Sequence, residues 1–156
     1  MINELKIKSV VIYIMNDVDK ERLNKALEND DNISLLNLTR DKIAKDKNDI
    51  LQQLQFNGGT LKGLNKKLKQ YRYIDELNDI KFGSYIRWIN ISNPKKMDLT
   101  TGAIVCEIKL TDSGTQILCK NSFNRFMQLK MDECVIFQKI NDQENIIINV
   151  YSYLSK

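Results

Sequence analysis

The sequence predicts an α+β protein. An N-terminal β-α-β-α lobe spans residues 1–56 and a bridging basic amphipathic helix 57–82. Residues 83–156 form a five-stranded antiparallel sheet or small open barrel closed by a C-terminal helix. Three observations carry this reading. Five apolar, β-prone runs (Ser84–Ile91, Ala103–Leu110, Gln116–Cys119, Phe126–Lys130 and Cys134–Gln138) recur at roughly 8–12-residue spacing. Apolar residues return at three- and four-residue intervals in four other stretches, the period of a helix with one buried side. Asn57-Gly58-Gly59 is the strongest breaker and marks the hinge between halves.

Taken in order, Leu5–Ile14 alternates and then turns continuously apolar, the pattern of a strand. Glu4 before it and Asn16-Asp17 after it do not fit a secretory leader. Asn16 or Asp17 caps a helix over about Val18–Glu28, with Leu23, Ala26 and Leu27 inward. Asn29–Asn32 breaks that helix, and Ile33–Leu38 reads as a second short strand. Thr39 caps a helix over Arg40–Gln55, with Ile43, Ile50, Leu51 and Leu54 inward. Thr60 begins the bridging helix, which runs to about Ile80 along the stripe Leu61, Leu64, Leu68, Tyr71, Ile74 and Leu77. Gly63 within it costs up to about 1 kcal/mol relative to alanine.

Turn-forming residues separate the five strands: Asn93–Lys96, Thr100–Gly102, Thr111–Gly114 and Met131–Glu133. Alternation in the second run predicts Ile104, Cys106, Ile108 and Leu110 on the core side, with Val105, Glu107 and Lys109 opposite. Asn141-Asp142-Gln143-Glu144 has capping-box form, and Ile147, Val150, Tyr151 and Leu154 give the last helix its apolar side.

Composition excludes several chemistries. A hydrophobic fraction of 42% supports a core, and the complete absence of histidine removes imidazole triads, relays and ligands. Cys106, Cys119 and Cys134 lack CxxC spacing and sit in apolar runs, so they read as small buried hydrophobes. No apolar run approaches the ~18 residues of a bilayer span. The expectation is therefore an intracellular protein with no membrane partner, no cofactor and no metal.

Two constellations remain. Lys62, Lys66, Lys67, Lys69 and Arg72 fall in an acid-free stretch beside Tyr71 and Tyr73, and Arg87-Trp88 and Lys95-Lys96 extend it. Nine basic and ten acidic residues precede Phe56, while fifteen basic and ten acidic follow, so the excess positive charge lies in the second half. A basic stripe with interleaved aromatics neutralises phosphates and stacks on bases; the bland equivalent is the solvated face of a helix. The second constellation is Asp98 with Glu107-Ile108-Lys109, which resembles the PD-(D/E)xK nuclease core, with Met97 where that family has proline. The resemblance implies two carboxylates on a divalent metal and a lysine beside the attacking water. The bland equivalent is an outward cross-strand charge pair.

A wider likeness lies in Leu61, Leu64, Lys67–Tyr71 and Glu76-Leu77, then Gly83–Ile89, Leu99–Ile104, Ile117–Asn121, Asn124–Phe126 and Val135–Ile140. These residues resemble small uncharacterised proteins of giant (nucleocytoplasmic large) DNA viruses over about residues 50–154. The resemblance implies a virus-encoded protein of the infected cytoplasm or virion, and no activity. The function expected first is a non-enzymatic binding or structural module acting through a protein surface or self-association. A nucleic-acid binder using residues 60–73 is the alternative, and a metal-dependent nuclease the third.

Overall fold

The computed structural model describes residues 17–155, which divide into two compact units: 17–46 with 140–155, and 47–139. The C-terminal helix thus groups with the N-terminal helices, and the divisions fall at 46/47 and 139/140 rather than at 56/57 and 82/83. The strand expected over Leu5–Ile14 lies outside the described residues.

In the first unit, helix α1 (Asp17–Glu28), the start of α2 (Arg40–Gln53) and α4 (Asp142–Leu154) enclose Leu23, Ala26, Leu35, Ile43, Ile147, Ile148, Val150 and Tyr151. The capping box of α4 is formed: Asn141 Oδ1 accepts from the Glu144 N–H, and Glu144 Oε1 from the Asn141 N–H. Ile33–Leu38 is not a strand. Asp30–Leu35 is a 3-10 turn whose N-cap, Asn29, accepts from the Asp31 N–H. Asn32 is buried and donates to the Ala26 carbonyl at 2.8 Å, and Asn37 takes a left-handed φ of 72°. Local asparagine hydrogen bonds outcompete the strand propensity of a short apolar run that, among the described residues, pairs with no strand.

The second unit is a six-stranded antiparallel sheet carried by the end of α2 and by α3 (Gly58–Lys67). Its strands are β1 (Tyr71–Ile74), β2 (Tyr85–Asn90), β3 (Ala103–Thr111), β4 (Gly114–Lys120), β5 (Phe126–Lys130) and β6 (Cys134–Lys139). Five of them are the predicted runs. The sixth, β1, lies inside what the sequence presented as one long helix. That helix ends at Lys67, where the buried Lys47 ammonium donates to the Leu68 carbonyl at 2.8 Å. The reason lies in β6, whose Val135, Ile136, Phe137 and Gln138 are all buried. A strand buried on both faces needs a neighbour on each side, and Tyr71–Ile74 supplies the second. Asn57, not Thr60, caps α3: its side chain accepts from the Thr60 N–H at 2.8 Å.

Strand order is β1-β6-β2-β3-β4-β5, with β1 and β5 as edges, so the sheet stays open. One face gathers Ile74, Ile86, Trp88, Ala103, Val105, Ile117, Leu129 and Ile136, from every strand, into a single cluster. Gln138, fully buried in that face, donates to the Asp79 carbonyl and accepts from the Lys81 N–H, clamping the segment that plugs the cluster with Leu77 and Ile80. The predicted register of β3 needs correction. A bulge between Val105 and Glu107 shifts the phase, so Val105 and Ile108 face the core, while Ile104, Cys106 and Leu110 are exposed. Glu107 and Lys109 face outward as expected.

Candidate nucleic-acid interface

The opposite face of the sheet is half covered. The cluster beneath the helices contains Leu51, Leu64 and Leu68 together with Ile89, Val135 and Phe137, and its strand residues come only from β1, β2 and β6. Within this unit the helices therefore leave the outer side of β3, β4 and β5 uncovered.

Register assembles that bare side. Tyr85 pairs with Ile104, Ile104 with Lys120 and Lys120 with Phe126. Continuing the β2–β6 and β1–β6 registers adds Lys139 and Tyr71 to the same row. The second row is Glu107, Leu118 and Gln128, with Cys106 beside Glu107 at the bulge; the third is Lys109, Gln116 and Lys130. Apolar residues are set among cations here: Ile104 is 46% and Phe126 64% exposed, and Lys120 Nζ lies 5.7 Å from the Phe126 ring centroid. Gln128 donates to Gln116 across the β4–β5 pair. Within the paired rows Lys109, Lys120, Lys130 and Lys139 share the face with Glu107, and Asp132 lies beside Gly114 just past the third row.

At the β2 end of the first row, Tyr85 donates from its hydroxyl to the Thr101 carbonyl at 2.7 Å. Burial raises the Tyr71 hydroxyl above its ordinary range, against an opposing effect of the neighbouring Arg87 charge. Burial also pushes Cys119 up to about 12, with nearby Cys106 adding to it, and Cys134 up to about 11, reinforced by Glu133 and Asp132. Both thiols stay protonated and inert at neutral pH. Cys106, by contrast with its expected burial, is exposed.

The residues expected to bind nucleic acid are scattered. Lys62, Lys66 and Lys67 are exposed on α3, Lys69 just beyond it, and Lys95 and Lys96 on the β2–β3 loop. Arg72 and Trp88, each 6% exposed, do not reach solvent as a binding edge: Arg72 lies in β1 and Trp88 in the inner core. β2 is an interior strand between β6 and β3, so Arg87-Trp88 is no sheet edge. Half-buried Arg87 donates through Nε to the Thr100 carbonyl at 2.8 Å.

The nuclease-like residues are not brought together. Asp98 adjoins Leu99, which bridges Ile89 at one end of β2, whereas Glu107 lies past Val105, which bonds Ser84 at the other end. The length of β2 between them is on the order of 20 Å at about 3.3 Å per residue. Two ligands of one ion must approach within a few ångströms. Among the described residues no three Asp, Glu or Cys side chains form a group that could hold a metal.

Ile104, Lys120, Phe126, Lys130 and Lys139 were missed as site residues. A signal was present: in Phe126-Met127-Gln128-Leu129-Lys130, period two sets an aromatic on the side of Gln128 and Lys130, away from Met127 and Leu129. No family model, curated protein or solved structure matches the chain. No helix among the described residues is long and apolar enough to cross a membrane.

Proposed function

We propose that this protein is a non-enzymatic nucleic-acid-binding module that takes the polyanion on the bare outer side of β3–β5. The observation that carries the proposal is the Tyr85–Ile104–Lys120–Phe126 row, with Lys109, Lys130 and Lys139 around it. Phosphate neutralisation by such lysines releases counterions and makes affinity fall with salt. The aromatic and aliphatic members supply sequence-tolerant contact. The sheet therefore replaces the α3 lysines as the principal surface. Likeness to proteins of large DNA viruses supplies a setting for this reading rather than a chemistry.

The test is fluorescence anisotropy of labelled oligonucleotides with the full chain at about 50 and about 200 mM salt. Binding is expected at the lower salt and should weaken with a log–log slope of about −2 to −3, from about −0.7 per single-strand phosphate and four lysines. K109E/K120E/K130E should abolish it. K62E/K66E/K69E should leave affinity within about threefold, the worth of distant rim charges under screening. No binding at about 50 mM salt ends the reading.

A second reading, a protein partner or second copy at the sheet edge, rests on Leu110 and Phe123, exposed by 76% and 82% near the two hairpin tips, and on the edge of β5 that no described strand pairs. Concentration-dependent sedimentation, lost in F123S/L110S, supports it instead.

A further inference from the structure

Resting on that reading, we infer that the ligand is a single strand whose bases are unstacked onto Phe126 and Ile104, with Lys120 between them taking a phosphate. The argument begins with what a duplex offers. Its outer surface is phosphate and sugar, with base edges recessed in grooves. A flat lysine patch satisfies such a surface fully, and apolar side chains on the patch gain nothing from it. Here Phe126 keeps 64% and Ile104 46% of its surface in water, on the same row as Lys120. A β-branched and an aromatic side chain on two different strands, with an ammonium from the strand between, match alternating base and phosphate.

Span sets the size of the ligand. Tyr85 to Phe126 crosses three inter-strand steps of about 4.8 Å, or roughly 14 Å, room for the two or three bases that exposed sheet aromatics ordinarily stack. Tyr85 stands at the far end with its hydroxyl already bonded to Thr101, so its ring is held in place. Gln116 and Gln128, in the neighbouring rows, add amides able to bond base edges of any identity. The expected preference is therefore for single strands with little sequence selectivity.

The experiment titrates full-length protein against a labelled single strand of about eight nucleotides, the size range of one sheet-type site, and the duplex of the same length. The single strand should bind more tightly. F126A should weaken it by about five- to hundredfold, from stacking worth ~1–3 kcal/mol per base, while the salt slope stays that of the unmodified chain because no charge is removed. F126W should restore binding, and its emission should be quenched by the oligonucleotide, since Trp88 is buried away from this face. Phe126 is exposed, so both variants should keep the parent melting temperature. Equal affinity for duplex and single strand, or an F126A variant that binds like the parent, overturns the single-strand inference and leaves lysine-dependent binding intact. Absence of binding to either strand fails the underlying proposal as well.

Discussion

Gly102 shows how a single residue holds the surface in place. It is buried beside β2 with φ of +99°, and an added Cβ would lie 2.5 Å from Tyr85 Cε1 and 2.6 Å from the Ile86 carbonyl oxygen. Side chains rarely adopt that backbone, and here there is no room for one. Gly102→Ala should destabilise by at least about 2 kcal/mol, strain and clash together. It should also displace Tyr85 and thereby loosen the first row of the outer face. Thermal melting and oligonucleotide titration of the variant check both effects, and a parent-like melting temperature would refute the close approach. Gln138 acts by the same logic with polar chemistry, since its amide matches one backbone donor and one acceptor of the Asp79–Lys81 segment.

Elements here begin and end where side chains satisfy backbone groups. Asn141 and Glu144 do so reciprocally at the start of α4, and Glu144 is fully buried while doing it. Asn141→Ala should therefore cost about 1 kcal/mol, the usual worth of an N-cap, seen as a lower melting temperature and faster exchange of the first α4 amides. Unchanged exchange there would mean that Glu144 alone holds the end. At α3 the Lys47 ammonium on the Leu68 carbonyl closes the helix, and three residues later the chain is β1. The bulge in β3 is an element-scale device as well. It turns Val105 inward and Ile104 outward, and so sets the apolar member between Tyr85 and Lys120.

At the scale of the molecule, each unit has its own core: the helical cluster around Leu23 and Ile147, and the sheet clusters around Trp88 and Phe137. Tyr71, Tyr73, Cys119 and Cys134, the groups whose pKa values burial raises, all belong to the sheet unit. The sign follows from linkage. Folding keeps these groups protonated to higher pH than the unfolded chain does, so unfolding releases protons once pH exceeds the unfolded values of about 9 to 10. Stability is thus fully present below about pH 9 and declines as pH rises toward the folded values, about 12 for Cys119 and about 11 for Cys134. Melts followed by the emission of buried Trp88 should fall from about pH 8 to about pH 10, less steeply in C119V/C134A. A flat profile would contradict the burial of these groups.

Amino-acid pattern alone determined the α+β class, five of six strands, the turns between them, the helices at residues 17–28, 40–53 and 142–154, and the α4 capping box. Those features rest on short-range physics: period, capping and turn chemistry act over a few residues and are written locally. Tertiary structure decided the rest. β1 exists because β6, about sixty residues away, is buried on both faces and demands a second neighbour. The β3 phase depends on a bulge that a continuous apolar run Ile104–Cys106 does not announce. The basic residues seen together in sequence are parted, with Arg72 buried and Trp88 in the core, while Lys109, Lys120, Lys130 and Lys139 come to share one face only because four strands align them. A helix displays its own charges to anyone reading along the chain. A sheet face is assembled across strands, so its composition follows from register and from which side the helices cover.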